Sequence, residues 1–291
     1  MLAPKNKSMF DATIESIKIL TNQSRHRSDL VYTMLRPQDL WSINSTYLNL
    51  GYWPDAENID QASRQLAELI SSKAKFDQCE AVLDAGCGLG DQCVDWAQNN
   101  PNTSFVAIDN AESQIQHARN NVEAANLDER ITFYCLDATK TGFNGESFDA
   151  IVALESAFHF NSRQDFIEHA MHLLRPGGIL VMADFIKSSP LSIRQKLALK
   201  FGTLSWQIPI KNLCDIKEYR TRIEQAGFIG IEVENITEQV ITPFSKFIKH
   251  RISQSSYKQS SQVIVRLAAM AMVHTGFLDS LNYVIASARK P

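Results

Sequence analysis

Between residues 80 and 184 short apolar runs alternate with stretches of helical spacing. Ala81, Val82 and Leu83 read as a buried strand that stops at Asp84, and a glycine turn from Gly86 to Gly90 leads into a short helix ending near Asn99. Ser104–Asp109 is a second strand. After it Ile115, Ala118, Val122 and Ala125 return at i, i+3, i+7 and i+10, one face of a helix. Residues 131–136 and 148–154 are further strands, the latter so uniformly apolar that both of its faces must be buried. Asn161 or Ser162 caps a helix carrying Phe166, Ile167, Ala170, Met171 and Leu174, which R-P-G-G at 175–178 ends, and 179–183 is the next strand. Alternating strands and helices mean βαβ units, so the expected fold is α/β, a parallel sheet covered on both faces.

Beyond residue 187 the pattern becomes helical. Pro190 suits a first helical position, and Ile193, Leu197, Phe201 and Leu204 share one face of the helix that it would start. Ile216, Tyr219, Ile223 and Ala226 mark another helix, and Gly227 stands where a glycine closes one. Two β-like runs, 230–233 and 283–286, come last, and between them Phe244, Phe247, Ile248 and Ile252 recur at helical spacing. That stripe, with Lys246, Lys249, His250 and Arg251 beside it, reads either as a face packed on its own domain or as a surface for a membrane or lipid-like substrate. No repeat or low-complexity linker divides the 291 residues.

Composition narrows the class. Basic and acidic residues number 29 and 32, a net charge of −3, without the basic excess of a nucleic-acid binder. With 44% hydrophobic and 21% charged residues the chain is expected to fold as a globule. Charges interrupt every apolar run before the ~18 residues that an integral membrane segment needs. The first residues, M-L-A-P-K-N-K-S, do not resemble a secretory signal. Cys79, Cys87, Cys93, Cys135 and Cys214 are an odd count without a C-x-x-C pair, so neither a disulfide framework nor a zinc site is expected. A cytoplasmic protein is the expectation.

The chemistry concentrates at V-L-D-A-G-C-G-L-G, residues 82–90. A glycine turn between strand and helix opens the carboxyl end of a parallel sheet to a ligand. A dinucleotide fits poorly. The fingerprint G-x-G-x-x-G needs glycine at 91, where Asp91 stands, and Asp84 would oppose a pyrophosphate at the helix start. Asp109 and Asp137 add carboxylates at the ends of the next two strands. Such a crevice suits a cation better than a phosphate.

These residues resemble the class I S-adenosylmethionine-dependent methyltransferases, over roughly residues 45–291. The resemblance implies a Rossmann-like seven-stranded sheet, an N-terminal helical cap over 1–75, and a core over 76–291 with a helical lid at about 187–226. It implies S-adenosylmethionine as cofactor and S-adenosylhomocysteine as product. Asp84 would face the ammonium group, Gly86 and Gly88 would let the main chain approach, and Asp109 would accept the ribose hydroxyls. Asp137 would take the adenine amino group, with Ala138 beside it, and Glu155 in I-V-A-L-E-S would line the junction of cofactor and substrate. Y-L-N-L-G-Y-W-P at 47–54, A-L-E-S-A-F-H-F at 153–160, L-R-P-G-G at 174–178 and M-A-D-F at 182–185 look like the small-molecule subset, such as tocopherol and natural-product sugar O-methyltransferases. There the G-Y-W segment folds over the cofactor, which puts Tyr52 at its carboxylate and Trp53 at the substrate opening. The alternative for both, and for Tyr47, is plain packing of the N-terminal segment on the sheet.

The expected reaction is methyl transfer to a small, largely apolar acceptor, at a hydroxyl. A base helps such a step and a metal is not required. His159, with Asp184 as its orienting carboxylate, is the candidate base; the other reading makes it a structural histidine. The sugar enzymes tend to have a histidine pair where this chain has Phe158-His159. Trp53, Phe158, Phe160, Phe185 and Trp206 form the expected acceptor wall, beneath a lid whose apolar faces point inward. His169 and His172 have a metal-compatible spacing but no evident third ligand, and Cys87 has no assigned role. E-S-A-F after the fourth strand is unlike the N-P-P-Y tetrapeptide of enzymes that methylate amino groups of DNA bases or glutamine. Two alternatives remain open, a cyclase or lyase on the same fold and a cofactor-binding protein without turnover.

Overall fold

A computed structural model describes residues 42, 44–254, 270 and 275–291, with Ser205 described by its main chain alone. Most of the expected helical cap lies outside these residues. Its described part is an extended strap, 44–58, leading into helix α1 (Ile59–Ala74), where the Asn58 side chain caps the Gln61 amide. The core then runs β1 (Ala81–Ala85), α2 (Asp91–Asn99), β2 (Ser104–Asp109), α3 (Glu112–Ala124), β3 (Ile131–Cys135), β4 (Phe148–Leu154), α4 (Arg163–Leu173) and β5 (Leu174–Lys187). It continues through α5 (Ile193–Ser205), α6 (Ile216–Gln225), β6 (Ile229–Asn235), α7 (Thr237–Ser253) and β7 (Leu281–Arg289).

The seven strands form one sheet in the order β3-β2-β1-β4-β5-β7-β6, parallel except for β7, which is antiparallel to both of its neighbours. β4 lies at its centre, with Ala150 to Leu154 all buried, as its apolar run requires. The order of connection reverses between β1 and β4, and in an open parallel sheet a crevice opens at the carboxyl ends on either side of such a reversal. On one face α1, α2, α3 and α7 pack around Leu66, Trp96, Ile115 and Phe244; on the other α4 and α6 pack around Phe166, Ile167 and Tyr219. The Phe244 stripe is thus spent on the core: Phe244 and Ile248 are buried and Phe247 packs on them.

Three expectations change. R-P-G-G does not separate α4 from the strand; β5 starts at Leu174, and an irregular register between Phe148 and Ala150 of β4 absorbs the extra residues. Helix α6 is not part of a lid, because Tyr219 and Ile223 are buried against the sheet. Helix α5 falls within the segment expected to form a lid and starts at a Ser192–Gln195 capping box, but its apolar stripe faces the other way. Ile193, Leu197, Phe201 and Leu204 point outward, 56–80% exposed, whereas Ala198 and Leu199 are buried. The reason lies in residue size. A Cβ at Gly202 would come within 1.9 Å of the Phe277 ring, so the narrow side of the helix is the one that reaches the domain.

One buried ion pair joins the layers. The side chains of Arg163 and Asp184 are both 0% exposed, with Nε and Oδ2 2.8 Å apart. Arg163 also donates to the carbonyls of Phe185 (3.0 Å) and Asn212 (2.7 Å), and the Tyr219 hydroxyl donates to Asp184 (2.9 Å). Removing one partner of a buried pair strands the other charge, so Arg163→Met should lower unfolding stability by about 3–5 kcal/mol. Arg163→Met/Asp184→Leu should recover at least half of that loss in urea denaturation. A single variant as stable as the parent would contradict this.

Candidate active site

The crevice at the β1/β4 reversal is built on the glycine turn. The Gly86 and Cys87 amides donate to the Ile108 carbonyl (2.7 and 3.0 Å), and the Gly88 amide donates to an Asp109 carboxylate oxygen (3.2 Å). The other Asp109 oxygen accepts from the Ala111 amide (3.0 Å), so Asp109 links the turn to the start of α3. Gly86 has φ +88°, and a Cβ there would stand 2.3 Å from the Ser156 Cβ. A side chain at this position would therefore collide with the segment after β4. Ser156 in turn donates to the Ala85 carbonyl (2.5 Å), locking β4 to the turn. At Gly88 the added Cβ would meet a strap side chain, Leu48, at 3.2 Å.

Asp84, at the end of β1, is fully buried. One carboxylate oxygen accepts from the Gln92 amide (3.2 Å) and the Cys93 thiol (3.1 Å), while the other, Oδ1, has no protein partner. Burial pushes its pKa up to about 7, the Cys93 and Gln92 hydrogen bonds pull it down, and the nearby Asp109 charge adds to the rise. Asp137 follows β3 at the surface, where it accepts from the amide and hydroxyl of Thr139 (2.8 and 2.7 Å), with Ala138 buried behind it. The Leu136 amide donates to the Asp109 carbonyl (2.9 Å) and brings these two strand ends together. Three carboxyl groups thus stand at the ends of three adjacent strands.

The strap is fastened across this edge by carboxylates. Thr46 donates to Asp91, and Tyr47 donates to Asp95 and is buried. The Leu50 amide donates to Glu155 (2.8 Å), which also accepts from the Tyr283 hydroxyl (2.9 Å). Burial pushes Glu155 up to about 8 despite these two donors. The Tyr52 amide donates to the Ala62 carbonyl of α1 (2.8 Å), and its half-buried side chain packs against the core. Trp53 donates from its indole to the Leu50 carbonyl (2.8 Å) and packs on Phe247 of α7 (5.4 Å between centroids).

His159 ends a short 3-10 turn, Ala157–His159, behind β4. Its ring lies against Phe158 (4.0 Å), and the main chain at Gln207 and Trp206, just past α5, hydrogen-bonds to it. Burial pushes its pKa down to about 4, against those hydrogen bonds, so the imidazole is neutral at pH 7. Asp184 is not its orienting group. Successive strand residues face opposite ways: Phe185 joins the α1 face while Asp184 turns to the α4 face, where Arg163 and Tyr219 hold it. The ring is held by the main chain at Trp206 and Gln207 instead.

Of the expected acceptor wall, Phe158, Phe185 and Trp206 come together. Phe185 meets Phe158, Tyr283 and Trp206 edge-on at 4.9, 5.0 and 5.6 Å, and Phe277 meets Trp206 at 5.0 Å. Phe160 and Trp53 stand apart from this stack. Phe160 packs on Phe166 of α4 (4.9 Å), on the other face of the sheet. A cavity of about 990 Å³ opens between α5, the exit of β5 and residues 207–213; Leu199, Ile208, Ile210 and Gln207 line it. His169 shares a hydrogen bond with Thr141 (2.9 Å), and among the described residues no three potential ligands cluster as a metal site.

Sequence reasoning missed Asn212. Its side-chain amide donates to the Phe158 and Phe160 carbonyls (3.1 and 2.7 Å), and its oxygen accepts from the Arg163 amide (2.9 Å). It clamps the lid's return onto the segment that carries His159. Arg163 had a readable signal: a cation at the first helical position, against the helix dipole, needs a compensating partner. Asn212, in a short loop, had none.

A family model described as a methyltransferase domain matches residues 82–178. Erythromycin 3″-O-methyltransferase of Saccharopolyspora erythraea is 32% identical over 280 residues, 91% of this chain and 90% of that one. The 27-O-demethylrifamycin SV methyltransferase of Amycolatopsis mediterranei is 26% identical over 258 residues, 87% of this chain and 92% of that one. Among solved structures the [4+2]-cyclase SpnF superposes with TM-score 0.73 at 21% identity, covering 92% of this chain and 96% of its own. Geranyl diphosphate C-methyltransferase from Streptomyces coelicolor A3(2), solved with Mg2+, geranyl diphosphate and S-adenosylhomocysteine, does so with TM-score 0.69 at 13% identity, covering 93% and 99%. At these identities the two structures speak for the fold alone.

The raised pKa of Asp84 has a consequence for stability. Between 3.8, the ordinary value, and about 7 the folded state keeps a proton that the unfolded chain has released, so stability falls as pH rises through that window. The loss from Asp84 between about pH 5 and pH 8 is on the order of 2–3 kcal/mol. Asp84→Asn should remove that part of the slope in urea denaturation of the ligand-free protein. A slope that is the same in both proteins would contradict it.

Proposed function

The chain belongs to the S-adenosylmethionine-dependent methyltransferases, the family of erythromycin 3″-O-methyltransferase, and on that premise we propose that it methylates a hydroxyl oxygen of a small, largely apolar natural-product acceptor. The observation that carries this reading is the placement of His159, neutral at pH 7 and hydrogen-bonded by the main chain at Trp206 and Gln207, of which Gln207 borders the cavity. The site also fits the cofactor. Asp84 Oδ1 is a buried carboxylate oxygen without a protein partner at the carboxyl end of β1, the kind of acceptor that a cationic ligand satisfies.

When bound, S-adenosylmethionine supplies a methyl group on a positively charged sulfur. Asp84 would hold the ammonium end, Asp109 the ribose hydroxyls and Asp137, beside Ala138, the adenine amino group. The strap, drawn down by Glu155 at Leu50, would cover the methionine part with Tyr52 and shield it from water. The stack of Phe158, Phe185 and Trp206 would orient the acceptor by apolar contact. As the oxygen gains the methyl group it must lose its proton, and the His159 imidazole takes it. A pKa near 4 makes His159 a weak base, available over the whole neutral range but with little driving force of its own. Its contribution is therefore placed at the low end for general bases.

His159→Ala should lower kcat about 10²-fold and leave the affinity for S-adenosylhomocysteine unchanged. A kcat within a few-fold of the parent would return His159 to a structural role. Calorimetry supplies an independent check. If the ammonium group needs an ionised Asp84, the Kd for S-adenosylhomocysteine should rise about tenfold between roughly pH 8 and pH 6, and Asp84→Asn should flatten that dependence. A Kd indifferent to pH in the parent would remove Asp84 from the binding site.

A further inference from the structure

The cavity under α5 has a charge pattern that its apolar lining does not explain. Lys187, Lys196 and Lys200 all border it, and among the described residues no aspartate or glutamate does. Lys196 and Lys200 are one turn apart on the same helix, at the i, i+4 spacing that brings side chains within about 6 Å. Among the described residues, no carboxylate lies within ion-pair distance of any of the three lysines. Helix α5 itself holds Arg194, Lys196 and Lys200 and no acidic residue. Leu191, Leu199, Ile208 and Leu213 line it as well.

Three like charges, of which Lys196 and Lys200 are exposed to water, set up a positive potential over an apolar hollow, and a bound anion lowers it. A neutral apolar ligand would leave it in place. We propose that this cavity binds an amphipathic organic anion, its carbon skeleton on Leu199, Ile208 and Leu213 and its carboxylate or phosphate on Lys187, Lys196 and Lys200. The anion is the acceptor itself, so the proposal rests on the reading of this cavity as the acceptor site. It adds to that reading that the acceptor carries a negative charge on the side away from His159. Gln207, which lines the cavity and whose main chain holds the His159 ring, marks the inner end toward which the hydroxyl would point.

Calorimetry on the full chain, with and without S-adenosylhomocysteine, tests this with decanoate, decyl phosphate and decanol as probes. One or both anions should bind roughly tenfold or more tightly than decanol, since charge-assisted hydrogen bonds are available to them alone. Which of the two binds better tells carboxylate from phosphate. Lys196→Gln/Lys200→Gln should abolish the preference and leave decanol and S-adenosylhomocysteine affinity unchanged. Added salt should weaken the anions only. Equal affinity for decanol and both anions, or an undiminished preference in the double variant, would overturn the proposal. Failure of S-adenosylhomocysteine to bind would instead overturn the cofactor reading, and the probe preference would still be read in its absence.

Discussion

The contact between Arg163 and Asp184 holds the site in register. It sits where the last parallel strand, β5, leaves the sheet, and it is satisfied from three directions. Tyr219 of α6 donates to the carboxylate, Phe185 of β5 accepts from the guanidinium, and Asn212 accepts from both the Arg163 side chain and its amide. A charge pair buried this deeply survives only with nearly every donor and acceptor engaged. The segment after α5 is part of that arrangement, because Asn212 lies in it and reaches over to Phe158 and Phe160. The His159 segment is consequently fixed between the sheet and the segment after α5.

A second constraint acts across the crevice. Asp84 and Glu155 are carboxyl groups pushed up toward neutrality by burial, to about 7 and about 8. Both weaken the ligand-free protein when ionised. Glu155 fastens the strap through Leu50 and Tyr283, and Asp84 keeps one oxygen without a partner. A cation entering beside Asp84 relieves a cost that the fold otherwise carries. This is a general way for a site to store binding energy for a charged ligand.

Much of this was legible in the sequence, and the legible part has a physical reason. Residues 80–184 alternate with clear period, and β4 is apolar enough to be central, so the sheet and its crevice emerge from pattern alone. The acids at 84, 109 and 137 mark the ends of three strands, where the crevice of an open parallel sheet lies. What failed depended on direction. The face of β5 that Asp184 occupies is set by whether it or Phe185 turns toward α1, and a one-residue choice decides it. The stripe of Ile193, Leu197, Phe201 and Leu204 looked like a packing face, yet the helix docks through the small residues Ala198 and Gly202. Hydrophobicity marks a stripe without saying that its own domain covers it. Asn212 acts through four hydrogen bonds to distant segments and leaves no trace in local pattern.

The account stands on the claim that the crevice above β1 and β4 is an S-adenosylmethionine site in which Asp84 is the partner of the ammonium group. A crystal structure of the full chain with S-adenosylhomocysteine tests this most directly. The account predicts the amino group within hydrogen-bond distance of Asp84 Oδ1 and the ribose hydroxyls on Asp109. A ligand bound elsewhere, or bound in the crevice with Asp84 Oδ1 still unpartnered, would contradict it.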